Sequence, residues 1–413
     1  MRSPRNTSLK LTRFLSVVLY FILSRSVPAS PFSDVNVVVQ SGKTINFTVI
    51  GPHNLILPNY YWKNYGDKRY SVRLNQRRLI FSDLTNRKEI GCDYEGPIKL
   101  ILASNTGYLE GPEGNYAGNF SIELEGMELR LICRLDLETY LAGVLWGELG
   151  RVGEDLLEAA KAQAVISRTY YIHWALRQPS RTLIPPGTSF QVYRYHPDYP
   201  KVIRTAVRQT HHQILIRDNK PIQAFFSADC GGHRAAVSEV WIGSTNGYAL
   251  QDAGWDGTDL NSEFCIMNRS HFWNHSISKA ELQQCCQTQL FKSGNETLSD
   301  FSIHSRSKSG RVDSLRIASG SASYFLVRES IRTFFKRSSL PDGLPSRLFN
   351  LYARSSENPR DTVYEFYGIG KGHGVGLCQT GAMEMARQGY HYREILQFYF
   401  KQAEIGSLSK LER

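Results

Sequence analysis

The chain has 413 residues, length for two or three domains, and an ordinary soluble-protein composition, which excludes low-complexity and fixed-period repeat architectures. The net charge is +11 at pH 7. Its basic residues are scattered and form no nucleic-acid motif, which argues against a nucleic-acid partner.

A basic lead (Arg2, Arg5, Lys10, Arg13) precedes the apolar run FLSVVLYFILS, residues 14–24, and Val27-Pro28-Ala29 follows at cleavage spacing. This is the pattern of a secretory signal peptide over residues 1–29, with a mature start near Ser30. The run is shorter than the ~20 residues of a spanning helix. An uncleaved anchor, which would hold the chain at the membrane, is the alternative. Loss of Arg2, Arg5, Lys10, Arg13 and Arg25 lowers the charge from +11 to +6. An exported, moderately basic protein suits an anionic extracellular polymer or membrane surface.

Residues 35–135 alternate apolar and polar positions in short runs (VNVVVQ, INFTVI, RRLIFSD, IKLILAS, NFSIELEG, ELRLIC) and predict strands and hairpins. LETYLAGVLWGELG, residues 137–150, predicts a short helix, and residues 154–177 the strongest helix, with a capping-box-like start at Asp155 and Glu158 and a stop at Pro179. Residues 188–260 predict mixed strands and loops. Helices are expected over 278–287, from 323 to 335, from about Gly381 to Gln388 and from Tyr392, and strands over 310–319 and 363–370. Strands and helices are segregated, so the expected class is α+β.

Four constellations carry chemistry. In GIGKGHGVGLCQTGAMEMA, residues 368–386, glycine falls at every second position. A regular strand there would have one bare face, open either to a flat ligand or to tight packing, with His373 on the other face. Gln379 precedes a helix whose free N–H groups can meet polar oxygens. Glu148 follows Trp146; a carboxyl tucked against that ring would hold its proton and act as a general acid, whereas an exposed one would be an ordinary surface charge. Lys161, Gln163 and Arg168 lie on one helix, either as a cationic wall beside Glu148 or as a solvated face. In FFSADCGGHRA, residues 225–235, Cys230, Gly231, Gly232 and His233 could shape a pocket with Trp241, and a Cys230/His233 thiol hydrolase is a further reading. Seven cysteines leave an odd thiol, and the absence of CxxC or HExxH signals no zinc site.

In their order and separation, YLAGVLWGELG, EAAKAQAVISRTY, FFSADCGGHRA with VW, and GKGHGVGLCQTGAMEMA resemble the stage II sporulation protein D family over residues 115–400. The resemblance implies the following organisation: a strand-rich region at 30–114, a catalytic domain at 115–400 that forms a substrate groove, and a tail at 401–413. It implies action on peptidoglycan glycan strands, as a lytic transglycosylase or as a non-catalytic enhancer of a cell-wall amidase, on the periplasmic or cell-wall side of the membrane. The catalytic glutamate would be Glu148. Lys161, Gln163, Arg168, Gly372, His373, Gly374 and Gln379 would serve the substrate. Some relatives carry zinc on one histidine and two cysteines near the SADCGGH segment. Here only Cys230 stands at such a position, since Ala224 and Ala236 occupy the flanking ones, so no cofactor or metal is expected.

Overall fold

The computed structural model describes residues 32–57, 60–75, 78–93, 97–102, 107–178, 183–187, 190–241, 263–266, 272–354 and 362–411. The signal-peptide segment and Pro179 lie outside the described residues. The class is α+β. The alternating first third forms β1 (Asp34–Gly42), β2 (Thr44–Ile50), β3 (His53–Leu57), β4 (Tyr60–Asn64), β5 (Lys68–Asn75), β6 (Arg78–Asp83), β7 (Lys88–Asp93), β8 (Ile98–Leu102), β9 (Tyr108–Gly111), β10 (Gly114–Tyr116), β11 (Asn119–Glu125) and β12 (Glu128–Asp136). With β13 (Leu183–Ile184) they make two sheets, ordered β13-β1-β12-β11-β8-β3-β4 and β10-β9-β2-β5-β6-β7. Period-two burial drives this: β2 turns Ile45, Phe47 and Val49 into a core shared with Leu55, Leu100, Ile122 and Leu131. Each such side chain contributes about 1.5–3 kcal/mol by leaving water.

The helices complete that core. In α1 (Leu137–Leu149) the Asp136 carboxylate caps the start by accepting the Thr139 N–H at 3.0 Å, and Leu141, Val144 and Leu145 face the sheets. A 3-10 turn (Glu154–Leu156) leads into α2 (Leu157–Ala175). The expected capping box does not form, because Glu158 accepts instead from Lys161 Nζ at 2.6 Å and from the Tyr392 N–H at 2.8 Å. Residues 159–169 of α2 are buried all round. One side meets the sheets; the other meets a second core of Leu215, Ile222, Leu377, Leu396 and Phe400.

Sequence patterning missed α3 (Lys201–Gln209), whose Val202, Ile203, Ala206 and Val207 enter the first core. It is followed by β14 (Gln213–Arg217), β15 (Lys220–Pro221), β16 (Phe226–Ser227), α4 (Val237–Val240) and α5 (Glu263–Ile266). A third core lies among β17 (Phe272–Ser278), α6 (Lys279–Gln289), β18 (Asp300–Arg306), β19 (Val312–Ser319), β20 (Ala322–Val327), α7 (Glu329–Phe334), β21 (Phe349–Arg354) and β22 (Val363–Ile369). The helix expected from residue 323 begins only at Glu329: the aromatic-rich segment before it pairs with β19 as a strand, and Arg328, at φ 50°, turns the chain. The chain then forms β23 (Leu377–Cys378), α8 (Gln379–Arg387), α9 (Tyr392–Tyr399) and β24 (Glu404–Ser407), which pairs with β14. No described helix is long and apolar enough to cross a membrane.

The alternating glycines are not a strand. Beyond β22, Gly370, Gly372, Gly374 and Gly376 have φ of 83°, 97°, 77° and 76°, a left-handed path that periodicity does not reveal. A Cβ on Gly376 would lie 1.9 Å from the Phe225 carbonyl oxygen, and one on Gly374 2.0 Å from Arg311 Nη2. The glycines pack against neighbouring backbone and Arg311, so the expectation of an open shelf is corrected to tight packing. This loop brings β23 alongside β16 in parallel and sets the start of α8.

Arg168 pins the helices together. Its fully buried guanidinium donates to both Glu138 oxygens, at 2.9 and 2.6 Å, and to the Gln213 carbonyl at 3.0 Å. Arg168→Ala strands a half-buried carboxylate and removes these bonds; the expected cost is about 3 kcal/mol, read as a lower urea midpoint. Pairing Arg168→Met with Glu138→Gln should recover most of that loss.

Candidate functional site

Glu148 sits in the last turn of α1 with its side chain held at both oxygens. Oε1 accepts the Val192 backbone N–H at 2.8 Å, and Oε2 lies 3.5 Å from Gln379 Nε2. Gln379 Nε2 is also 3.4 Å from Gln163 Oε1, and Gln163 Nε2 donates to Ser167 Oγ at 3.1 Å. A line of buried amides thus runs from α2 through the start of α8 to the carboxyl. Burial raises the Glu148 pKa above the ordinary carboxylate range, while the Val192 and Gln379 bonds and the charge of Arg194 pull it back.

The approach of residues 190–194 depends on two glycines four apart in α1. A Cβ on Gly147 would lie 2.0 Å from the Val192 oxygen, and one on Gly143 2.3 Å from the Tyr193 ring. With those faces bare, the Arg194 N–H reaches the Gly143 carbonyl at 3.1 Å, and Tyr193 stacks on Tyr140 and Tyr116 at centroid distances of 5.8 and 5.6 Å. Sequence reasoning missed Val192 and Arg194; the Gly143/Gly147 spacing was the signal for a chain crossing that helix face.

Several expected site residues are placed otherwise. Trp146 packs on His196, at 4.9 Å between centroids. Lys161 and Arg168 do not form a cationic wall beside Glu148: each is buried against its own counter-ion, Glu158 and Glu138 respectively. The exposed cation whose charge acts on Glu148 is Arg194. His373 leans on Trp241 and Phe225, with centroids 5.0 and 6.2 Å away, and its Nδ1 accepts the Val375 N–H at 3.0 Å. Burial lowers its pKa to about 4, so it is neutral at physiological pH. Gly372 and Gly374 lie in the packed loop.

Cys230, Gly231 and Gly232 are buried, with Gly231 and Gly232 at φ 69° and 86°, whereas His233 is exposed. That separation removes the basis for a Cys230/His233 nucleophile pair. Instead Cys230 meets two thiols distant in sequence: the sulfurs of Cys230, Cys265 and Cys378 lie within 4.8 Å of one another, all buried. The contact with Cys265 pushes the Cys230 thiol up to about 12, and burial raises Cys378. The histidine-and-two-cysteine set implied by the resemblance is not present, but this three-sulfur set suits a thiophilic cation.

The described clefts lie elsewhere. One of about 900 Å³ runs along Lys99, Asn119, Ser121 and Arg134, and two of about 520 Å³ flank Trp273; none includes Glu148. Charge placement and hydrogen bonding, more than cavity volume, mark the Glu148 locus.

Residues 125–216 match the family described as Stage II sporulation protein, and residues 258–376 match a domain of unknown function. An uncharacterized protein of Brachyspira hyodysenteriae is 27% identical over 382 residues, covering 91% of this chain and 92% of that protein. The amidase enhancer of Bacillus subtilis is 26% identical over 92% of this chain, which spans 56% of that longer protein. A stage II sporulation protein D of Bacillus amyloliquefaciens is 27% identical, with 66% of this chain and 74% of that protein covered.

Gly147→Ala tests the crossing that holds Glu148. It should destabilise the fold by at least about 1–3 kcal/mol and displace Val192, lowering the thermal midpoint. Ala162→Gly, at a buried position on the neighbouring helix, should cost about 1 kcal/mol in propensity plus the lost burial of one methyl and serves as the comparison.

Proposed function

We propose, from the match of residues 125–216 to the Stage II sporulation protein family, that the chain is a peptidoglycan lytic transglycosylase with Glu148 as its acid and base. The observation that supports this reading is a desolvated carboxyl held at both oxygens, by the Val192 N–H and by the Gln379 amide. Ordinary glycosidases need two carboxyl groups, one to protonate the leaving oxygen and one to activate water or attack the sugar. A muramyl residue carries its own nucleophile, the 6-hydroxyl, so one carboxyl suffices.

In the first half of the reaction, protonated Glu148 gives its proton to the oxygen linking MurNAc to GlcNAc, and the bond from muramyl C1 to that oxygen breaks. In the second half, the 6-hydroxyl oxygen bonds to C1 and its proton passes to the Glu148 carboxylate, which regenerates the acid. The product is a 1,6-anhydromuramyl end, and no water enters. Proximity within one sugar ring replaces a second protein group. The Val192 N–H holds one carboxyl oxygen and Gln379 the other, so the group is oriented in both protonation states. The exposed Arg194, whose charge acts on Glu148, would receive the lactyl carboxylate of a strand stripped of stem peptides.

The second reading, a glycan-binding enhancer of a cell-wall amidase, draws on the name of the Bacillus subtilis relative. It does not require a raised Glu148 pKa. Export to the cell-wall side of the membrane is part of either reading.

Mass spectrometry of denuded glycan strands separates them. Wild-type protein should yield anhydromuramyl ends and Glu148→Gln none; strand binding without cleavage by both proteins supports the enhancer. Arg194→Ala should raise KM several-fold with little change in kcat. Activity should fall as pH rises through the raised Glu148 pKa, above the ordinary glutamate value of about 4.3. The stability sign follows: the folded state holds this proton more tightly than the unfolded state, so Glu148 stabilises at acidic pH and loses that contribution as pH rises. Glu148→Gln should therefore melt above the wild type at neutral pH, and the gap should close on acidification.

A further inference from the structure

We propose that Cys230, Cys265 and Cys378 bind a zinc ion that crosslinks three segments of the chain behind the Glu148 site. The three sulfurs come from the turn after β16, from α5 and from the residue that caps α8. They lie within 4.8 Å of one another, and the Cys230 and Cys265 sulfurs are 3.2 Å apart. All three side chains are at least 98% buried. Soft sulfur donors in this number favour zinc over the hard cations that need oxygen ligands.

The backbone around the cluster is arranged for charged sulfur. The Gly232 N–H donates to Cys265 Sγ at 3.0 Å, and the Cys230 and Gly381 N–H groups donate to Cys378 Sγ at 3.3 and 3.5 Å. Such donors stabilise thiolates and hold each sulfur in place. The Gly231-Gly232 pair in left-handed conformation folds the backbone over the cluster and aims the Gly232 N–H into it. Arg311 Nη2 donates to the Cys230 carbonyl at 2.8 Å. A zinc ion bound among the three sulfurs would take them as thiolates, with these backbone N–H groups as their remaining partners.

Cys378 immediately precedes Gln379, so the ion would fix the helix start whose side chain reaches Glu148. Three protein sulfurs leave the fourth position of a tetrahedral zinc to water or another donor, and Glu148 is not among the three ligands. The site does not depend on the reaction assigned to Glu148.

The test uses the full chain purified without chelator. Elemental analysis should give about one zinc per chain, and blocking the thiols with an organomercurial should release it. Replacing zinc with cobalt(II) should produce a thiolate-to-cobalt absorption in the near ultraviolet and intense tetrahedral visible bands. Cys265→Ser should lose the metal and both spectral signatures, whereas Cys286→Ser, a buried thiol of the third core, should keep them. Chelator should lower the thermal midpoint of the wild type and leave that of Cys265→Ser unchanged. If Cys265→Ser does not fold, the cobalt spectrum and mercurial release of the wild type decide alone. A wild type that carries no metal and shows no thiolate-to-cobalt band overturns the proposal, as does a Cys230–Cys265 disulfide in the metal-free native protein.

Discussion

Arg168 carries a full positive charge with no exposure to water, and the arrangement around Glu148 depends on how that charge is compensated. Its bidentate bond to Glu138 fixes α2 against the first turn of α1, and its bond to the Gln213 carbonyl fixes both against β14. Glu138 and Glu148 stand on the same helix, and Gln163 and Arg168 on the next. One ion pair at the start of α1 thereby sets the alignment that carries Gln163 toward the opposite end of that helix, where Gln379 bridges it to Glu148. An ion pair in such a place adds little net stability, but its geometry admits one relative placement of the two helices.

Two kinds of closeness bring the carboxyl out of water. One is backbone against backbone, at Gly147 under Val192 and at Gly376 under Phe225. The other is amide against amide, through Gln163 and Gln379. The first excludes solvent and the second replaces it with oriented dipoles, so the carboxyl is desolvated without losing its hydrogen bonds. His373, which lies in the same loop as Gly376, acts at one remove: neutral and stacked on Trp241 and Phe225, it shapes the loop that delivers Gln379.

The sequence announced what local periodicity can encode. The early strands, α1, α2, α6 and α9 follow from spacing and caps, and the α+β class follows from their segregation. α3 was missed although Val202, Ile203, Ala206 and Val207 have helical spacing, because the surrounding loops dominated the window. The glycine run misled because alternation has the same period in a strand as in this left-handed loop, and φ leaves no trace in composition. Lys161 and Arg168 looked like substrate cations because their counter-ions, Glu158 and Glu138, are recognisable only once the helices pack. The thiol cluster was invisible for a similar reason: Cys378 stands 148 positions from Cys230, and no short motif spans that distance.

That same spread in sequence has a kinetic consequence. Glu148 and the Gln379 amide are 231 positions apart, and β24, near the end of the described chain, pairs with β14 beside α2. Contacts of such range form late, because a long loop must close before they return any energy. A chain emerging from a ribosome holds every residue of α1 and α2 long before it holds a finished carboxyl pocket. The assembly order written into the topology keeps Glu148 without its Gln379 partner until the 231-position span between them is available to fold.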